Sequence, residues 1–67
     1  MIRLWRARRR HDHIDAVLRS TAGAFALEYS RNDKVLMQRT YQSEEAARRD
    51  AAVRLKELQR AGWVDHW

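Results

Sequence analysis

The chain contains no cysteine and no proline, and it has only two glycines. Without cysteine it forms neither a disulfide nor a cysteine-ligated zinc site, so two common ways of stabilising a small fold are excluded. No stretch of the sequence approaches the ~18 apolar residues that a membrane span needs. The N-terminus is charged but has no apolar segment behind it, which argues against a secretory signal. We therefore expect a cytoplasmic protein that does not associate with membranes.

The chain is also short, and its charge is unbalanced. Its 67 residues form one domain, and a core of this size rarely supplies more than ~3–5 kcal/mol of net stability unless something else stabilises it. Oligomerisation is the remaining option, so both a homodimer and a monomer stay open. The net charge of +5 favours polyanionic partners. Arginine outnumbers lysine twelve to two, a bias that a GC-rich genome also produces.

The clearest predicted element is a helix in the last third of the chain. Ser43 is a good N-cap, and Glu44 and Glu45 follow in the first turn, where the helix dipole favours acids. Gly62 stands where a left-handed C-terminal cap is expected, and Trp63 follows where a residue often packs back on the helix. One apolar stripe is formed by Ala47, Ala51, Leu55 and Leu58.

Three segments of alternating apolar and polar residues precede this helix, and short turns at 20–23 and 31–34 separate them. Short connections require antiparallel pairing. We therefore predict an α+β fold, a three-stranded antiparallel meander packed against one C-terminal helix. Residues 1–67 form a single ββ(β)α domain, in which 1–12 are a basic arm or the start of the first strand. The predicted core face consists of Ile14, Ala16, Leu18, Phe25, Leu27, Tyr29, Val35, Met37 and Tyr41.

Two basic segments indicate a small nucleic-acid-binding module, the leading functional hypothesis. Five arginines in the first ten residues surround Trp5; arginine binds phosphate bidentately, and tryptophan can stack on a base. The alternative is that Trp5 is a core residue and the arginines protect an edge strand. The helix carries further cations on the side opposite its apolar stripe. These cations either contact phosphate or are only exposed to solvent. The candidate nucleic-acid-binding residues are Arg3, Trp5, Arg6, Arg8, Arg9, Arg10, Arg49, Lys56 and Arg60.

A protein-interaction module, such as an adaptor or inhibitor, is the second hypothesis. The other sheet face is predicted to carry Val17, Ala26 and Leu36, which suits dimerisation unless Leu4, Trp5 or Trp67 covers it within the monomer. Trp67 is either that cover or an exposed anchor for a partner. The candidate protein-interaction residues are Val17, Leu36 and Trp67.

Residue types typical of metal sites or catalysis are sparse. His11 and His13 would point to one side of a strand, with Asp65 or His66 as a third ligand, but histidines near a chain end are more often solvent-exposed. We expect no metal and no cofactor. The sequence has no glycine-rich phosphate loop and no cysteine nucleophile, and its carboxylates are scattered. A sheet and one helix of this size also offer no concave pocket, so we expect no enzymatic activity.

Short motifs along the chain resemble those of small, largely uncharacterised bacterial ββ(β)α proteins. The motifs are Leu4-Trp5-Arg6, Ile14-Asp15, Leu18-Arg19, Asn32-Asp33 and Gly62-Trp63, and the resemblance carries no function with it. The last helix is also similar, at Ser43, Ala47, Ala51 and Ala52, to that of double-stranded-RNA-binding domains. Those domains hold phosphate with lysines after the serine, where this chain has Glu44 and Glu45. The meander and helix are loosely similar to WGR-type domains, whose Trp-Gly-Arg signature this chain lacks.

Overall fold

The computed structural model describes residues 1–65 and shows an antiparallel sheet covered on one face by a helix. The elements are β1 (Ile2–Arg9), β2 (Asp12–Thr21), β3 (Ala24–Arg31), β4 (Lys34–Tyr41), α1 (Glu44–Arg60) and β5 (Val64–Asp65). The strand order is β4-β3-β2-β1-β5. The predicted α+β class and C-terminal helix are confirmed. The predicted strand count was wrong, because the meander has four strands and a short fifth strand pairs with β1.

The basic N-terminal segment is a complete strand rather than an arm. β1 pairs with β2 from Ile2 to Arg9 and turns at Arg10, whose φ of 57° lies in the left-handed region. The register shifts between Arg3 and Trp5, so Leu4 is an extra residue in β1. This bulge breaks the alternation of apolar and polar residues, and it hides the strand pattern in the sequence.

A second bulge lies in β4 and changes which side chains share a face. Tyr29 pairs with Met37, but Ser30 pairs with Val35, so Leu36 is the extra residue. The prediction that Val35 faces the core was therefore wrong, and so was the placement of Leu36 on the open face. Leu36 instead lies beside Met37 on the helix side of the sheet.

The helix begins and ends as its sequence predicts. The Ser43 hydroxyl accepts a hydrogen bond from the backbone N–H of Ala46 at 3.1 Å. At the other end, Gly62 has a φ of 97° and donates to the Gln59 carbonyl, while the Trp63 N–H donates to the Leu58 carbonyl. These two bonds form a Schellman motif, which brings Trp63 back towards the helix.

The core lies between α1 and the sheet, and two tryptophans fix their relative position. Trp5 is 4% exposed, and its indole N–H donates to the Ala51 carbonyl at 2.8 Å. Trp63 is 5% exposed and belongs to the same cluster of buried side chains. The hydroxyl of the buried Tyr29 donates to Asp50 of α1 at 2.7 Å. The predicted packing of the Ala47–Ala51 stripe on the sheet is therefore confirmed.

Among residues 1–65, no helix combines the length and the apolar character needed to cross a bilayer.

Candidate nucleic-acid interface

The first and third hairpin turns of the β1–β4 meander, β1–β2 and β3–β4, lie at one end of the molecule together with the end of α1. Asn32, in the β3–β4 turn, exchanges hydrogen bonds with the backbone of His13 in β2, both at 3.0 Å. Arg9, beside the β1–β2 turn, donates from Nη1 to the carbonyl of Ala61 at 3.0 Å. We call this region the hairpin end and define it as residues 8–13, 31–34 and 60–63.

The structure separates the five N-terminal arginines, and it uses several of them internally. Arg6 donates through Nε and Nη2 to the two carboxylate oxygens of Asp15, at 2.6 and 3.0 Å. Arg9 caps α1 and lies 4.7 Å from the ring centre of Trp63. Arg3 also has an interaction. Within the part of the chain that the structure describes, Arg8 and Arg10 are exposed and make no ion pair.

Trp5 does not accompany these arginines on the surface. Because Trp5 lies in the core under α1, its ring faces are not available for stacking on a base. The alternative interpretation of Trp5 as a core residue is therefore confirmed. Trp63 is likewise buried and lies near two guanidinium groups, those of Arg9 and Arg31.

The cations of α1 also divide into those that have an ion-pair partner and those that do not. Three arginines pair with glutamates one turn away: Arg48 with Glu44 at 2.8 Å, Arg49 with Glu45 at 2.7 Å, and Arg54 with Glu57 at 3.5 Å. Lys56 and Arg60 are exposed and have no ion pair with any residue from 1 to 65. Arg60 is the last residue of α1 and belongs to the hairpin end, with Lys56 one turn before it.

The cations without a partner therefore lie mainly towards one end of the molecule, with Arg8 on the open face of the sheet and Lys56 and Arg60 on α1 over the other face. Across residues 1–65, the lysines and arginines with neither an ion pair nor a hydrogen bond are Arg8, Arg10, Lys34, Arg39, Lys56 and Arg60. All of them except Arg39 lie in the hairpin end or within one turn of it. Lys34 was missed from the sequence because it stands alone at a turn, and only the fold brings it to the other cations.

Asp12, one of the acids of the hairpin end, is already paired. Asp12 accepts from Asn32 Nδ2 at 2.9 Å and from Arg31 Nη2 at 3.0 Å. These hydrogen bonds, that from Asn32 first, lower the pKa of the Asp12 carboxyl. A cleft of about 480 Å³ lies between Arg9, Arg10, Asp12 and Ala61. Arg31 pairs with Asp12 and Arg9 donates to the Ala61 carbonyl, so Arg10 is the cation lining this cleft that has neither an ion pair nor a hydrogen bond within residues 1–65.

The open face of the sheet carries ion pairs rather than an apolar patch. The Arg6–Asp15 pair lies on one side of Val17, and Arg19 pairs with Glu28 at 3.2 Å on the other. Burial acts to raise the pKa of Asp15, but the hydrogen bonds and charge of Arg6 outweigh it and hold that pKa below its ordinary value. Of the two predicted protein-interaction residues that the structure describes, Val17 lies on this face, half-buried, and Leu36 does not. Trp67 and His66 lie outside the described residues.

One group of possible metal ligands is present in residues 1–65, and it is not the group that the sequence suggested. Ligand atoms of His13, Asp15 and Asp33 lie within 4.8 Å of one another, whereas His11 lies in the exposed β1–β2 turn. Arg6 contacts both oxygens of Asp15, so its charge opposes a cation at this position.

No protein-family model, curated protein or solved structure matches the chain. Any functional conclusion therefore depends on the geometry of the described residues.

Proposed function

We propose that the protein binds the phosphate backbone of nucleic acid through its hairpin end. The observation that carries this proposal is the concentration there of cations without partners, although the chain's other arginines are mostly paired. Unpaired, exposed cations bind phosphate without first breaking an internal ion pair, and they release the counterions of the nucleic acid. The binding residues in this proposal are Arg8, Arg10, Lys34, Lys56 and Arg60.

The spacing of the two turns suits a nucleic-acid backbone. Adjacent strands lie about 4.8 Å apart, so the β1–β2 and β3–β4 turns, two strands apart in the sheet, are separated by about 10 Å. One strand of duplex DNA carries a phosphate about every 3.4 Å along the axis. Arg10 and Lys34 therefore fit phosphates a few nucleotides apart, and Arg60 adds a contact from the helix above the sheet.

The proposed contact depends on the charge of the nucleic acid and not on its base sequence. Trp5 and Trp63 are buried, so neither offers a ring face on which a base can stack. Contacts to phosphate position a protein on nucleic acid but carry no sequence information directly. We therefore expect duplexes of different sequence to bind with similar affinity.

Fluorescence anisotropy with a labelled DNA duplex at ~50 and ~200 mM salt tests the proposal. Wild type should bind at the lower salt and weaken steeply at the higher. The double variant Arg8→Ala/Arg10→Ala should bind more weakly, and its slope of log affinity against log salt should fall by about 2.

The matched control is Arg48→Ala/Arg49→Ala, which removes the same charge from paired arginines at the opposite end of the molecule. It should retain most of the affinity. Equal losses in both double variants would show that only net charge matters. Absence of binding at ~50 mM salt would refute the proposal altogether.

A further inference from the structure

A cleft at the hairpin end brings hydrogen-bond acceptors together with the exposed cation Arg10. The cleft has a volume of about 480 Å³ and is lined by Arg9, Arg10, Asp12 and Ala61. Pockets that bind small ligands have volumes of about 300–1,000 Å³. The volume of this cleft therefore suits a ligand group of the size of one nucleotide.

Asp12 lies in this cleft as an oriented and ionised carboxylate. Its Oδ1 accepts a hydrogen bond from Asn32 at 2.9 Å, and its Oδ2 accepts one from Arg31 at 3.0 Å. The hydrogen bond from Asn32 and that from Arg31 lower the pKa of the Asp12 carboxyl, so the group is charged at neutral pH. A carboxylate has about four lone-pair sites, so about two of them stay open to a ligand. The Asp12 side chain is 38% exposed, which leaves these sites accessible.

A second acceptor belongs to the residue that follows α1. Ala61 lines the cleft, and its carbonyl accepts from Arg9 Nη1 at 3.0 Å, which leaves one lone pair of that oxygen. A charged carboxylate repels a bound phosphate, and open acceptor sites lose their water on binding if the ligand offers no donor. The ligand that suits this cleft therefore carries a hydrogen-bond donor, such as a hydroxyl group, next to its phosphate.

Arg10 supplies the phosphate contact at the same cleft. It is exposed and has neither an ion pair nor a hydrogen bond within residues 1–65. A guanidinium presents five N–H donors in a planar fork that matches the oxygens of a phosphate. The donors of Arg10 are therefore available to the ligand, whereas Arg9 already uses Nη1 for the Ala61 carbonyl.

A ribonucleotide carries both groups that the cleft can bind. Its 2′-hydroxyl and its 3′-phosphate are attached to neighbouring carbon atoms of one ribose, and DNA lacks the 2′-hydroxyl. We propose that the hairpin end binds RNA in preference to DNA, with a 2′-hydroxyl donating to Asp12 and the adjacent phosphate contacting Arg10. This inference rests on the proposed function, because it assigns a ligand class to the same surface.

Recognition of the sugar agrees with the other features of the hairpin end. Trp63 is buried, so its ring is not offered to a base, and contacts to sugar and phosphate do not depend on base sequence. DNA still binds through its phosphates, but it leaves the open acceptor sites of Asp12 without a donor. The preference for RNA thus comes from a hydrogen bond, while most of the affinity comes from charge.

Fluorescence anisotropy with three labelled duplexes of one sequence tests the inference. The duplexes are RNA, RNA with fluorine in place of every 2′-hydroxyl, and DNA. The 2′-fluoro duplex keeps the A-form geometry of RNA but has no hydroxyl donor, so it separates hydrogen bonding from the shape of the duplex. At ~50 mM salt, wild type should bind RNA roughly 5- to 10-fold more tightly than either of the other duplexes.

Asp12→Ala should abolish this preference, because it removes the acceptor and leaves Arg10 in place. Removal of a negative charge also strengthens binding to every duplex, so the ratio of the affinities is the informative quantity. The control Asp33→Asn removes the same charge from an exposed acid of the hairpin end that does not line the cleft, and asparagine tolerates its φ of 70°. This control should bind all three duplexes more tightly and keep the preference for RNA.

The outcomes separate the inference from the proposed function. Equal binding of RNA and 2′-fluoro RNA by wild type overturns the inference, and so does a preference that survives Asp12→Ala or is lost in Asp33→Asn. Absence of binding to all three duplexes refutes the proposed function and the inference with it. Circular dichroism should show that both variants fold. The comparison of duplexes in wild type remains decisive if Asp12→Ala is unstable.

Discussion

The two faces of the sheet are built from the same strands, yet they are stabilised in opposite ways. Towards α1, side chains such as Leu27 and Ala16 are fully buried and make no polar contacts. On the open face, Asp15 is nearly as buried, but it is a charged group that accepts hydrogen bonds from Nε and Nη2 of Arg6. Burial of apolar area stabilises the first face, and matched charge stabilises the second.

This difference separates arginines that are matched with acids from arginines that are not. Arginines of the open face and the start of α1 are matched with acids, as Arg6 is with Asp15 and Arg49 is with Glu45. Other arginines of the hairpin end, Arg8, Arg10 and Arg60, have no acid partner within residues 1–65, although Arg31 in the same region pairs with Asp12. Net charge alone gives no such distinction, because both kinds of arginine contribute equally to it.

The largest expected effect comes from a substitution in the apolar face of the sheet. Leu27→Ala should lower the free energy of unfolding by about 2–5 kcal/mol, because Leu27 is fully buried and its removal leaves a cavity. Val17→Ala, on the half-exposed centre of the open face, should cost less than Leu27→Ala. Urea denaturation of both variants measures the difference, and equal losses would contradict the contrast between the two faces.

The next largest effect comes from a substitution in the open face, which carries the ion pairs. Asp15→Asn should lower the free energy of unfolding by about 1–3 kcal/mol, because it replaces a charge-assisted bidentate pair with a neutral contact to Arg6. Thermal denaturation at neutral pH measures this loss. Because Arg6 is partly exposed, we expect this loss to be smaller than that of Leu27→Ala. A larger loss would show that the open face, rather than the core, dominates stability.

The pH dependence of stability in the same variant tests whether the charge of Asp15 causes the loss. The pKa of Asp15 is lower in the folded protein than in the unfolded chain. Its contribution is therefore present above the unfolded value of about 3.9 and is lost as the pH falls through the folded pKa. The stability difference between wild type and Asp15→Asn should be constant near neutrality and should shrink below about pH 4. A difference that persists in acid would point to a packing defect instead.

A smaller effect concerns the turn that carries Trp63 onto the apolar face. Gly62→Ala should cost about 1–2 kcal/mol, because Gly62 has a φ of 97° and the backbone there disfavours a Cβ. The cost should come from the backbone, since an added Cβ would meet only Arg9 Cδ at 3.8 Å. Gly62→Asn should be milder, because asparagine tolerates left-handed conformations. Equal melting temperatures for all three proteins would exclude this explanation.

The smallest effect concerns the exposed ion pairs of α1. Arg48→Ala should change the free energy of unfolding by less than about 0.5 kcal/mol, because its pair with Glu44 is half-exposed and alanine favours helix. Differential scanning calorimetry should place its melting temperature close to that of wild type. A large loss would mean that matched charges outside the sheet are also structural.

Local patterns predicted the helix and the β2–β3 and β3–β4 hairpins correctly, because the determinants are adjacent in sequence. Ser43 and Gly62 cap α1 through groups only a few residues away. Asn32 and Asp33 adopt positive φ in the β3–β4 turn, as their residue types favour. The first strand was missed because Leu4 interrupts its alternation, and Leu36 was misplaced for the same reason. A bulge is set by strand pairing, which the sequence alone does not display.

The candidate site was only partly visible in the sequence. Arg8, Arg10, Lys56 and Arg60 were among the predicted residues, and Lys34 was not. Sequence counts arginines but does not show which of them meet an acid. Asp15 lies nine residues from Arg6, and the two meet only because β1 and β2 form a hairpin.

The sequence by itself determined the α+β class, the ends of α1, the turn at Asn32 and the excess of positive charge, since each depends on residue type and on neighbours within one or two turns. Only the tertiary structure decided which cations remain unpaired and why Trp5 is unavailable to a ligand. Those properties depend on contacts between residues distant in the chain, such as the 46 positions between Trp5 and Ala51, and they exist only once the sheet and helix have packed together.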